Sequence, residues 1–367
     1  MPGITCQVMP GLTPQRLTLK FHLGFPSGSI ADLKMPDNAA LAELCEALGF
    51  DTLWHSNERF YREMFVRMTS SAMVTSRIGI GGAIAEPFAI HPALTAQLLA
   101  TVDELAGGRA TVALGAGGQG FQAMGVKRRR SAVALREAYQ VISGLRAGQE
   151  VTLEGEMIQV HQARLQFAPL REPQRPLWIA TRGDVTLRTA GEYADALMIA
   201  TYANPQGVGE ALALVQQGLS KSGRPPGALR IMSRVDTCLH ADPQVAYAGT
   251  RMMISRVLWV SYPDRNFVRR AGLEVPADVE ALIAERDMKH LPEIVQRLPD
   301  AFVEAFTWSG TPEMVAGRVA AVAQATGIEE FGFWMLLAEG QSRKEALQLL
   351  AAEVLPRLRA LAPVAGS

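Results

Sequence analysis

From residue 17 onward, apolar and polar positions fall into short runs that change period in a regular way. A strand-like run covers 17–25. A helical stripe of Leu41, Leu44, Cys45 and Leu48 follows and stops at Gly49, where a glycine can end a helix. Further strands are predicted at 52–56 and 78–85. His91-Pro92 then opens a helix with the stripe Leu94, Leu98, Thr101, Val102 and Leu105. Proline suits that first turn because its missing N–H had no partner there. Gly107-Gly108 leads into a strand at 110–117. A helix over 131–145 presents Leu135, Ala138, Tyr139, Ile142 and Leu145.

Residues 151–165 alternate around a Glu154-Gly155 turn and read as a hairpin. Strands follow at 177–181, 196–201 and 231–239, with Asp184 as the predicted N-cap of the helix after the first of these. Thr311-Pro312 caps a helix carrying Val315, Val319, Val322, Ala323 and Thr326. A last strand covers 331–337, and a terminal helix ends near Leu361. Strands alternating with helices pair in parallel through right-handed crossovers. Eight such units predict a (β/α)8 TIM barrel, with the doubly wound open sheet as its rival. Insertions are expected after strand four, as the hairpin, and after strand seven, over 259–306 with Pro263, Pro276, Pro292 and Pro299. No repeat or linker divides the chain, so 1–367 reads as one domain.

Composition narrows the function classes. Hydrophobic residues make up 48% and charged residues 20%, which allows a large core and excludes global disorder. The 36 basic and 36 acidic residues cancel, removing the electrostatic case for nucleic acid or a membrane surface. Cys6, Cys45 and Cys238 are too scattered for a disulfide framework or a metal site, so a reducing, cytoplasmic setting is expected. No apolar run approaches the roughly 18 residues that span a bilayer. The segment 1–15 has neither a basic start nor an apolar core, so no signal peptide is expected.

In a barrel, chemistry sits at the C-terminal ends of strands. That selects 24–26, 56–59, 83–87, 115–119, 181–184, 201–204 and 334–339. Gly115-Ala116-Gly117-Gly118-Gln119-Gly120 suits close backbone approach to a planar or phosphorylated ligand, or else a flexible turn. Thr181-Arg182-Gly183-Asp184 stands at a helix start, favourable for an anion or for simple capping. Lys127 to Arg130 are four cations beside the strand-four loop: a solvated surface, or a partner for an anionic ligand tail. Asn57, Glu58 and Arg59 follow strand two. Glu58 is a candidate acid or base, or an ion-pair partner of Arg59. The six histidines show no metal-ligand spacing, so no metal is expected.

Taken in order, several stretches resemble the luciferase-like flavin-dependent superfamily, most closely its coenzyme F420 branch, which includes the methylenetetrahydromethanopterin reductases. They are Leu48 to Trp54, Arg77 to Pro92, Leu99 to Arg109 running into Leu114 to Gly117, Leu135-Arg136-Glu137, Pro176 to Ala180, Ala190 to Asp195, and Gly310 to Glu313. The resemblance implies a flavin-type ring in the barrel mouth and a non-prolyl cis peptide at Ala83–Ile84. It implies cofactor contacts from Gly115, Ala116, Gly117 and Gly118 and from Thr181, Arg182 and Gly183, with Thr201 from the end of strand six.

Ala116 stands where FMN-binding members often carry an arginine, which favours the singly charged phosphodiester of F420 over the FMN phosphate. Gly118 and Gln119 replace a strand-four glutamate found in some deazaflavin dehydrogenases, and Asn57-Glu58 replaces their strand-two Asp-His pair. Asn57 and Glu58 are therefore the catalytic candidates. The expected activity is hydride transfer between F420 and a small organic substrate. The alternatives are an FMN-dependent two-component monooxygenase and a non-catalytic flavin-binding protein. The family also implies a homo-oligomer, commonly a dimer.

Overall fold

The computed structural model describes residues 19–117, 120–170 and 175–361. Its first half runs β1 (Lys20–Phe25), α1 (Met35–Ala47), β2 (Thr52–Ser56), α2 (Met64–Val74), β3 (Gly79–Ala85), α3 (Pro92–Ala106), β4 (Ala110–Leu114) and α4 (Ser131–Arg146). A hairpin, β5 (Val151–Glu154) and β6 (Gln159–Ala163), precedes β7 (Trp178–Thr181), α5 (Asp184–Tyr193), β8 (Ala196–Ala200), α6 (Pro205–Lys221) and β9 (Arg230–Leu239). Five helices come next: α7 (Pro243–Ser261), α8 (Asn266–Arg270), α9 (Ala277–Ala284), α10 (Leu291–Arg297) and α11 (Asp300–Phe306). The chain closes with β10 (Thr307–Gly310), α12 (Pro312–Thr326), β11 (Glu330–Met335), α13 (Arg343–Leu349), a π-helical turn (Leu350–Val354) and α14 (Leu355–Leu361).

The parallel sheet runs β11-β1-β2-β3-β4-β7-β8-β9, and β9 returns to β11, closing an eight-stranded barrel. This is the predicted (β/α)8 architecture. β9 is long enough to take two partners on one side. Arg230 to Arg234 pair with β8, and Asp236 to Leu239 pair with β10. Neither β10, only four residues long, nor α2 is among the predicted elements, although Met64, Phe65, Met68 and Ala72 give α2 a helical stripe.

Tryptophans from β2, β7 and β11 fill much of the barrel, and glycines on β1 and β3 make room for two of them. Trp54, Trp178 and Trp334 form one interior cluster with Met198 and Met232. A Cβ on Gly81 would lie 2.5 Å from Trp54, and one on Gly24 would lie 2.6 Å from Trp334. These glycines are needed for the approach they allow, since an interior this dense has no slack for a methyl group.

The predicted hairpin is present, turned through the Gly155 N–H to Ile158 C=O bond of 3.0 Å. The Glu137 carboxylate holds its tip, accepting from the N–H groups of Glu156, Met157 and Ile158 at 2.8–2.9 Å. The second insertion is helical and begins earlier than expected, since Trp259 lies inside α7.

Three expectations need correction. The α3 stripe is mostly exposed: Leu94, Leu98 and Leu105 are 53%, 39% and 49% exposed, and of its members only Val102 packs inward, with Ala96 and Leu99. Asp184 does not cap α5. Gly183 is the cap residue, and the Asp184 carboxylate pairs with Arg270 of α8 at 2.6 Å. Strand four stops at Leu114, because Gly117 turns the chain with φ 73°.

Candidate functional site

The C-terminal ends of the strands form an open mouth whose floor is the tryptophan cluster, with Ala83, Ala113, Ile84 and Ala180 packed around it. The Ala83–Ile84 peptide is cis, as the resemblance implied. Asn57 holds it from the side: its backbone N–H donates to the Ala83 carbonyl and its Nδ2 to the Ile84 carbonyl, both at 3.0 Å. One donor of the Asn57 amide is thus engaged with the chain.

Next to it, the Gly115 N–H donates to the Ala85 carbonyl at 3.0 Å, and a Cβ on Gly115 would lie 2.7 Å from Ile84. A Cβ on Gly117 would lie 2.4 Å from the Phe121 ring. Ala116 adds no bulk. Gly118 lies outside the described residues. These small residues let Ile84 and Phe121 pack against the strand ends, and Arg128 donates to the Gly117 carbonyl at 2.6 Å. On the opposite side Thr201 ends β8 with φ 86°. A β-branched residue rarely adopts that conformation, and such outliers gather at functional sites.

Charged groups ring the mouth. Glu58 faces Arg234, Asp236 and Arg256. Solvent reaches Glu58 through the opening, yet the surrounding protein is dense enough that burial pushes its carboxyl above the usual range. Asp236 adds to that rise, while Arg234, Arg256 and the Ser27 N–H oppose it. Arg234 pairs with Asp236 at 2.9 Å and stacks on Trp334 with its guanidinium carbon 4.5 Å from the ring centre. Arg182 donates to the Ser261 hydroxyl at 2.9 Å and lies over the Phe267 ring, with no ion pair among the described residues. Thr181 accepts from the Gly183 N–H at 3.0 Å. The start of α5 therefore already holds one anion, Asp184, and has lost one donor. An anionic ligand there would rest on Arg182.

Two further expectations are revised. Arg59 pairs with Glu86, not Glu58, and stacks on Phe121 at 4.7 Å. Glu86 is buried and also accepts from the N–H groups of Phe88 and Ala89 at 2.7 and 3.0 Å. Of the cations 127–130, Arg128 binds the Gly117 carbonyl and Arg130 pairs with Glu156. Lys127 and Arg129 remain exposed without an ion pair among the described residues. Among the described residues no group of three His, Cys, Asp or Glu side chains could hold a metal. No helix there is long and apolar enough to cross a membrane.

Sequence reasoning missed Arg234, Asp236, Arg256 and Glu86. A signal existed for the first two: Arg230, Arg234 and Asp236 are separated by even intervals on one strand. That places all three side chains on the same face, here the barrel interior.

The family model for luciferase-like monooxygenases matches residues 19–330. A 5,10-methylenetetrahydromethanopterin reductase of Archaeoglobus fulgidus is 27% identical over 345 residues, covering 93% of this chain and all of the relative. The solved coenzyme F420-dependent tetrahydromethanopterin reductase of Methanopyrus kandleri superposes with a TM-score of 0.79 at 22% identity, covering 93% of this chain and 99% of that one. An F420-dependent secondary alcohol dehydrogenase, solved with an F420–acetone adduct, gives 0.74 at 19% identity over 93% and 99%. With its barrel, its cis peptide and a match over most of its length, the chain belongs to the luciferase-like monooxygenase family.

Proposed function

We propose that the protein is a coenzyme F420-dependent oxidoreductase acting on a small organic substrate. The reading rests on the small residues at the ends of β3 and β4 together with Arg182 after β7, a guanidinium without a carboxylate partner among the described residues. Small residues allow a flat ring to approach the backbone, and a phosphodiester needs such a cation. The residues fit the group. Ala83, Ile84, Gly115, Ala116, Gly117 and Thr201 would border the ring, and Arg182 would take the phosphate. The F420 dependence of two of the solved neighbours supports the choice, as does Ala116 in place of an arginine.

When bound in reduced form, the deazaflavin supplies a hydride. The chain supplies the rest. Asn57 fixes the Ala83–Ile84 segment that borders the ring. Glu58, its carboxyl raised by burial, keeps its proton to higher pH than an ordinary carboxyl and gives it to the substrate atom that gains the electron pair. Arg234 and Arg256 then face the carboxylate that remains. Arg234 is held in place by Asp236 and Trp334, so its charge needs no rearrangement during the step.

The family's monooxygenases keep a second reading in view, in which FMN replaces F420 and oxygen is consumed. Fluorescence titration of the purified protein with F420 and with FMN separates the two. Tighter binding of F420, weakened about tenfold by Arg182→Met, is the expected result. Preference for FMN would overturn the cofactor assignment.

A further inference from the structure

Behind the loop that carries Glu58 lies a second polar feature. The chain leaving β1 and the loop 57–63 after β2 flank a small niche of about 10 Å³, partly open to solvent, whose lining includes Ser27, Ile30, Leu33, Tyr61, Arg62 and Arg67. That is room for one water-sized particle. Arg67 is only 4% exposed. Its Nε donates to the Asn38 amide oxygen at 3.1 Å, and it makes no ion pair among the described residues. The charge that bears on it is a second cation, Arg62, and burial pulls its guanidinium down to about 10.

The acids of these two loops are engaged elsewhere. Asp32 pairs with Arg343, Glu63 caps the Val66 N–H at 2.8 Å, and Glu58 faces the mouth. Residues 1–18 contain no Asp or Glu. His55, fully buried near Arg67, has no hydrogen-bond partner on either ring nitrogen. Burial and the Arg67 charge hold it neutral, so it supplies no negative charge.

A buried cation without an anion is expensive, and proteins resolve it with a partner or a bound counter-ion. Here the partner is missing and a cavity stands in its place. The Ser27 hydroxyl, 2% exposed and without a partner, is the second observation that points to a ligand. The polar side chains on the wall are Ser27, Tyr61, Arg62 and Arg67: two cations and two hydroxyls, with no carboxylate. Ile30 and Leu33 make the remaining wall apolar, which strengthens attraction to a charge and leaves no acceptor for a cation.

We propose that this cavity binds one small monovalent anion of chloride or bromide size, held between the Arg67 guanidinium and the Ser27 hydroxyl. The site is independent of the cofactor reading. Its occupant would neutralise Arg67 and tie the chain after β1 to the loop carrying Glu58.

The test uses the full-length protein without cofactor or substrate. Thermal unfolding is followed in sodium chloride and in sodium gluconate at equal ionic strength, and a crystal is soaked in sodium bromide. A ligand that binds only the folded state raises the midpoint with its concentration. The expected results are a Tm that climbs with chloride but not with gluconate, and an anomalous bromine peak in the cavity. Ser27→Ala should shift the half-saturating chloride concentration upward about tenfold, because a hydrogen bond to an ion is removed. Arg67→Met should abolish the chloride response. If that variant does not fold, Ser27→Ala and the bromide peak still decide. Equal Tm in both salts with no bromine peak would overturn the proposal and assign the cavity to water. An unchanged half-saturation in Ser27→Ala would overturn Ser27 as a ligand.

Discussion

β9 presents the same arrangement twice, once at each end of the barrel. Arg230 stacks on Trp178 at 5.2 Å and pairs with Glu330; Arg234 stacks on Trp334 at 4.5 Å and pairs with Asp236. The surroundings then diverge. At the N-terminal end Glu330 also accepts from His22 at 3.0 Å and lies 3.9 Å from Lys20. Burial would raise its carboxyl, but the His22 and Arg230 hydrogen bonds and their charges override that and lower it to about 2. At the C-terminal end the nearby Glu58 is raised instead, and Arg182 has no acid partner among the described residues. The lower cluster is closed and holds its charges in fixed pairs. The upper one has a carboxyl raised by burial and a cation without an acid partner among the described residues, at the end of the barrel where chemistry commonly sits.

The largest expected effect tests the lower cluster. Glu330→Gln removes the anion from a buried network and leaves Arg230 and Lys20 facing each other. Breaking such a pair costs about 3–5 kcal/mol, read as a lower urea midpoint at neutral pH. The wild-type pH dependence has a definite sign. Because the folded carboxyl is depressed, its contribution is full above its ordinary value of 4.5 and disappears as pH falls from there toward about 2. In Glu330→Gln that acid-side loss should be absent. An unchanged urea midpoint would show that the cluster is not stabilising.

Glu58→Gln tests the upper cluster and should act on a different observable. Turnover is expected to fall about a hundredfold, the lower end for loss of a positioned acid. Stability should change by less than about 0.5 kcal/mol, because no ion pair closes on Glu58. The sign is opposite to that at Glu330. A raised carboxyl loses its proton as pH rises, so wild-type activity should decline on the alkaline side of the raised value, and the variant should lose that decline. A pH profile identical in both proteins would remove Glu58 from proton transfer.

How far the sequence reached follows the same division. β2 was legible to the residue, because Thr52–Ser56 is bounded by turn residues and buried throughout. The ends of α3 were legible too, from Pro92 and from Gly107 at φ 61°. Its facing was not: periodicity reports that Leu94, Leu98 and Leu105 share a stripe, and says nothing of what the stripe faces. The small residues at the strand ends could be named from position and resemblance. Of the charged ring only Glu58 was named, because Arg234 and Arg256 come from other elements brought to it by barrel closure. Arg59 shows the limit of local reasoning. Its neighbour in sequence is Glu58, and its partner in space is Glu86, delivered by the next strand.

The smallest effect is the sharpest test of the two ends, because it asks the same substitution of both. Lysine keeps the charge of arginine but loses the planar fork and the stacking surface. At Arg230 those features hold a closed network, so Arg230→Lys should lower stability by roughly 1–2 kcal/mol and leave KM unaltered, because a charge-assisted bond and a ring contact are weakened. At Arg234 they orient a charge over an open mouth. Arg234→Lys weakens the same bond and ring contact, so a stability loss of similar size is expected. The difference should appear in kcat/KM, as a drop of about tenfold for Arg234→Lys, and as a shift in the alkaline limb set by Glu58. If neither variant moves the pH profile, the two stacks are equivalent props and the mouth gains no electrostatic role from β9.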